Sequence, residues 1–116
     1  MNTPQPRRDF TVPLRVDITL PDGSVCHEYA VNISPGGLCL HVSHPLPAEA
    51  VLPVRLELPP EGLEVRALGF VAWTSWHEDD DEAERFWETG LQFQEINATM
   101  RERIHSWASQ PKNRRR

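Results

Sequence analysis

Residues able to do chemistry gather in two places in the first third of the chain. Arg7 and Arg8 stand together near the N-terminus, and Asn32-Ile33-Ser34-Pro35-Gly36-Gly37 follows about two dozen residues later. A guanidinium fork grips a phosphate or a base edge bidentately. Asn and Ser side chains both donate and accept hydrogen bonds. Gly36 and Gly37 permit positive φ and let a ligand approach the backbone closely. This chemistry suits a compact, polar, anionic ligand such as a nucleotide. It does not suit acyl transfer: no glycine precedes Ser34 where a strained nucleophile elbow needs one, and no His and carboxylate pair stands at a familiar spacing. No enzyme activity is expected.

The elements that must carry these residues read as β-strands. Leu14, Val16, Ile18 and Leu20 alternate with Arg15, Asp17 and Thr19, the period of a half-buried strand. Pro21-Asp22-Gly23 is a turn, and residues 24–33 return as a second strand with Val25, Tyr29 and Val31 among its expected buried positions. After the glycine turn, Leu38, Leu40 and Val42 face one way and Cys39 and His41 the other. Residues 51–58 alternate again, Pro59-Pro60-Glu61-Gly62 turns the chain, residues 63–76 form a long strand or two bent at Gly69, and residues 85–94 form the last. Many short strands joined by turns predict an antiparallel barrel or sandwich. Ile96, Met100, Ile104 and Trp107 then make one apolar stripe on a closing helix, capped by Asn97 or Thr99 and ended by Pro111.

The 116 residues are enough for one domain with a modest core. Residues 1–13, with Pro4, Pro6 and Pro13, read as a flexible arm; 14–110 as barrel plus helix; 111–116 as a basic tail. No apolar run reaches the ~18 residues of a membrane helix, and the start lacks a secretory signal, so a cytoplasmic protein without membrane insertion is expected. Cys26 and Cys39 are too few for a disulfide framework. The net charge of −5 argues against a general nucleic-acid binder. Charge is uneven, with an acidic run from Glu78 to Glu82 and a basic end from Lys112 to Arg116.

The order and spacing resemble the PilZ domain, the bacterial receptor module for cyclic di-GMP. That family carries an RxxxR motif followed by [D/N]xSxxG. Asn32, Ser34 and Gly37 fit the second motif position for position. The first is incomplete: counting from Arg7 puts Thr11 at the second arginine position, and counting from Arg8 puts Val12 there. Val71-Ala72-Trp73, Gly90-Leu91-Gln92-Phe93 and the closing helix also fall where a PilZ domain has them, so the resemblance covers residues 7–108. It implies a six- to seven-stranded antiparallel β-barrel with a C-terminal helix. It also implies a cyclic di-GMP receptor in second-messenger signalling, with Arg7, Arg8, Asn32, Ser34 and Gly37 as ligand contacts, a downstream protein partner, and affinity weakened by the missing arginine. Two alternatives stand beside it: a PilZ-like protein–protein interaction module that no longer binds the nucleotide, and a small nucleic-acid-binding barrel using the arginine tail and exposed tryptophans.

Other candidates have simpler readings. Cys39, His41 and His44 have no fourth ligand at diagnostic spacing to make a zinc site, so no metal is expected. The acidic run lacks the glycine and alternating ligands of a calcium loop. Trp73 and Trp107 are expected in the core, and Trp76 and Trp87 on the surface.

Overall fold

The computed structural model describes residues 7–78 and 85–109. Six antiparallel strands, β1 (Arg8–Thr19), β2 (Val25–Ser34), β3 (Gly37–Val42), β4 (Val51–Leu58), β5 (Leu63–Glu78) and β6 (Arg85–Ile96), close into a barrel in the order β1-β2-β3-β6-β5-β4. The barrel has the expected class, with one uninterrupted β5 where the sequence left open one strand or two. The barrel closes through a short β1–β4 pairing, Val16 to Ile18 against Leu56 to Val54. The predicted alternation fills the interior: Val16 and Ile18, Leu38 and Leu40, Leu52, Val54 and Leu56, Val65, and Leu91 are all buried.

Helix α1 (Ala98–Ser109) lies against β1 and β2. Ile104 and Trp107 enter the barrel's core cluster, with Met100 and Ile96 packed at its margin. Asn97 is the N-cap, its Oδ1 accepting from the amides of Thr99 at 2.8 Å and Met100 at 3.3 Å. The indole of Trp107 donates to the Pro59 carbonyl at 2.7 Å, fastening the helix to the β4–β5 turn. Among the described residues no helix is long and apolar enough to cross a membrane. The acidic run beyond Glu78, Pro111 and the basic tail lie outside the described residues.

Three expectations need correction. Residues 8–13 are not an arm: they belong to β1, where Arg8 pairs with Ile33 and Asp9 with Asn32 before an irregularity leads to Leu14 opposite Ala30. In β2, Val25 and Tyr29 are exposed and Val31 is half-buried, while Ala30 and Ile33 are the buried residues. A bulge between Ala30 and Asn32 puts two residues, not one, between the inward positions Ala30 and Ile33, so simple alternation assigns the wrong face. In β5, Trp73 is 48% exposed. Val71 is buried and strict alternation would bury Trp73 as well, but a bulge between them turns the indole outward.

Candidate functional site

These irregularities build the site. Along β1 successive side chains take opposite faces. Arg8 sits opposite the inward-facing Ile33, Asp9 takes the outer face beside Asn32, and Arg7, just ahead of β1, joins it there. Two adjacent arginines are thereby sent to different places. Arg7 lies 3.3 Å from Asp9 and lines a cavity of about 440 Å³ on the outside of the barrel. Arg8 turns toward the helix. Its guanidinium stacks 4.0 Å from the centroid of a Trp107 ring and donates to the Trp107 carbonyl at 3.2 Å, beside Phe10. A cation at the last turn of a helix also meets the negative end of its dipole.

The outer cavity brings together Arg7, Asn32, Ser34 and Gly37, four of the five residues that the sequence singled out. Arg8 does not line it. Thr11, one of two candidates for the missing second arginine, lines a separate hollow with Arg8 and Trp107, and so does Val12, the other. Asn32 is half-buried, and among the described residues no hydrogen bond engages its side-chain amide. Ser34 Oγ accepts from the Gly36 amide at 3.2 Å, which fixes the tight turn and leaves the hydroxyl proton to donate elsewhere.

Gly37 is needed for a reason other than the expected positive φ. It lies in β3, and a Cβ there would overlap the carbonyl oxygen of Leu91 on β6. Gly90 has a similar role that the sequence reading missed. A Cβ at Gly90 would overlap Nε1 and Cε2 of Trp73, so the indole lies directly on the glycine backbone. Trp73 thereby becomes a wall of the cavity instead of part of the core. The signal lay in Trp73 and Gly90 as a pair, since a bare glycine opposite an aromatic residue is a place for the ring to rest.

Glu88 and Cys39 complete the outer wall. Cys39 Sγ donates to Glu88 Oε2 at 3.4 Å, and Glu88 Oε1 lies 2.9 Å from Nε2 of His77. Burial, with Glu88 adding its hydrogen bond and its charge, pushes the Cys39 thiol up to about 12, so it remains protonated at ordinary pH. His41 and His77 stack on the two sides of Phe86 with ring centroids 4.0 and 5.2 Å away. Among the described residues no group of three or more His, Cys, Asp or Glu is placed to hold a metal ion. Of the remaining tryptophans, Trp76 is 46% exposed as expected, whereas Trp87 is half-buried beneath it.

Comparison with known proteins agrees with this architecture. Over 64 residues the chain is 42% identical to the cellulose synthase catalytic subunit [UDP-forming] of Xanthomonas axonopodis pv. citri, an overlap of 53% of this chain and 9% of that protein. The PilZ domain with c-di-GMP of YcgR from Escherichia coli superposes with a TM-score of 0.76 at 13% identity, covering 93% of this chain and 89% of that one. The MrkH–c-di-GMP complex of K. pneumonia gives 0.77 at 20% identity, covering 92% of this chain and 51% of that one. The chain therefore spans a small part of the cellulose synthase subunit and about half of MrkH. The family described as PilZ domain matches residues 4–110, and this chain belongs to that family.

Proposed function

We propose that this PilZ domain binds cyclic di-GMP in the outer cavity and relays its occupancy to a protein partner. The observation that carries the reading is the meeting of Arg7, Asn32, Ser34 and Gly37 in one cavity beside Trp73. Each has a use toward a cyclic dinucleotide. Arg7 supplies the charge and the fork for a phosphate or a base edge. Asn32 and Ser34 offer donors and acceptors to polar edges. Gly37 keeps the β3–β6 backbone low enough for a flat ligand to lie close. The exposed face of Trp73 is a stacking platform, and base–aromatic stacking is worth about 1–3 kcal/mol per base.

The chemistry is binding, with no bond made or broken. A ligand that bridges Arg7 and strands β2, β3, β5 and β6 would alter the surface that those elements offer to a partner. Titration calorimetry with cyclic di-GMP, using GTP and cyclic AMP as controls, tests the reading. Saturable binding of cyclic di-GMP alone is expected, weakened about tenfold to a hundredfold in Arg7→Ala, the scale of a hydrogen-bonded charge. A folded wild type that takes up no cyclic di-GMP overturns it and leaves the protein-interaction alternative.

A further inference from the structure

The cavity contains a carboxylate that an anion-binding site would be expected to avoid. Glu88 projects from the outer face of β6, paired in register with His41 on β3 and Ser75 on β5, and lines the same cavity as Arg7 and Asn32. Beside the phosphates of a dinucleotide its charge would be repulsive, so a useful role must lie with the base.

We propose that Glu88 reads the Watson–Crick edge of guanine, accepting from the N1–H and the 2-amino group together. This assignment rests on the binding reading above and names the residue that would give it base specificity. Guanine presents two adjacent donors on that edge, which match the two oxygens of a carboxylate. Adenine presents an acceptor at N1, whose lone pair the same carboxylate repels.

Three observations support the assignment. The first is orientation: Cys39 donates to Oε2 and His77 lies against Oε1, so both oxygens are held from the side, and each keeps a second lone pair for a ligand. Because the Cys39 thiol keeps its proton, that donor is permanent. The second is position. Glu88 lies two residues before Gly90, on which Trp73 rests, and so about 7 Å along the same face of β6 at about 3.4 Å per residue. A base stacked on Trp73 would present an edge, not a face, toward Glu88. The third is partial burial: the Glu88 side chain is 31% exposed, so its hydrogen bonds compete less with water than those of an open surface carboxylate.

The test compares cyclic di-GMP with its inosine analogue, which keeps N1–H but lacks the 2-amino group, and with cyclic di-AMP. Each is titrated into wild type, Glu88→Gln and Glu88→Ala, with folding checked by circular dichroism. Wild type is expected to prefer cyclic di-GMP over the inosine analogue by about tenfold, the worth of one hydrogen bond to a charged group. In Glu88→Ala that preference should shrink to about threefold or less as cyclic di-GMP binding weakens, and discrimination against cyclic di-AMP should fall with it. Glu88→Gln keeps the shape but offers one acceptor and one donor, so it too should lose the preference. If wild type binds cyclic di-GMP and Glu88→Ala binds it equally or more tightly, or both variants keep the full preference for the 2-amino group, the assignment is overturned while the binding reading stands. If wild type binds no cyclic di-GMP, both are overturned.

Discussion

Arg7 and Arg8 carry the same charge, one residue apart, and the start of β1 separates their work, with Arg7 just ahead of the strand and Arg8 its first residue. Arg7 stands on the outer face in a cavity suited to an anion, and Arg8 clamps the end of α1 through the Trp107 ring and carbonyl. Removing Arg8 forfeits one charge-assisted hydrogen bond and one cation–π contact. Arg8→Ala should therefore lower unfolding free energy by about 1–2 kcal/mol in urea titrations and leave cyclic di-GMP affinity within about threefold of wild type. A variant of unchanged stability whose affinity drops tenfold or more would return Arg8 to the ligand, where the sequence pattern put it. The pattern could not make this distinction, because adjacent arginines on an arm assumed to be irregular have no assigned faces. Asn32, Ser34 and Gly37 were legible because turn chemistry and spacing fix them locally. Gly37 lies in the cavity without the expected positive φ: what its missing side chain avoids is the Leu91 carbonyl on a strand more than fifty residues away, a contact that no local rule supplies.

At the scale of elements, the strands and the helix were largely legible from period-two alternation and one apolar stripe. The site was less so, because bulges set its faces. The bulge after Ala30 turns Asn32 outward, the bulge after Val71 turns Trp73 outward, and the irregularity between Asp9 and Leu14 carries the arginines to the open end of β2. A bulge inverts the alternation downstream of it, so the same regularity that identifies a strand misassigns the residues just past one.

The other side of the barrel shows how neighbouring strands are tied together outside the core. Asp17 on β1 meets His27 on β2 at 2.7 Å and Arg55 on β4 at 3.7 Å, and Arg55 bonds Glu64 on β5. The hydrogen bond to His27 holds the Asp17 carboxyl below its ordinary range, helped by the charges of Arg15, His27 and Arg55, and the Arg55 hydrogen bond does the same for Glu64. A lowered folded value means stability that is complete above the unfolded carboxylate range, about 3.9–4.3, and is lost as pH falls through the folded value. Glu28 works in the opposite sense, since burial raises its carboxyl and favours the folded state on the acid side. Asp17→Asn should consequently show a smaller drop in thermal midpoint than wild type between about pH 5 and 3, with the difference reduced in high salt. Equal acid limbs for the two proteins would mean that the charge belt adds nothing to stability.

For the whole molecule, the closed barrel is a rigid frame with two aromatic landmarks on different surfaces. Trp73 marks the outer cavity, resting on Gly90, and Trp107 marks the junction of helix and barrel, with its indole bonded to the Pro59 carbonyl. Ligand bound where Arg7, Asn32 and Gly37 meet must perturb the first landmark directly, while the second is fixed by contacts that the ligand does not touch. Nuclear magnetic resonance resolves the two indole N–H signals in one spectrum. Titrating cyclic di-GMP into the ¹⁵N-labelled domain should shift the Trp73 indole and the amides of Asn32, Ser34, Gly37 and Gly90, and leave the Trp107 indole in place. A Trp73 signal that stays fixed at saturating cyclic di-GMP, or shifts confined to Arg8, Phe10 and Trp107, would contradict the account.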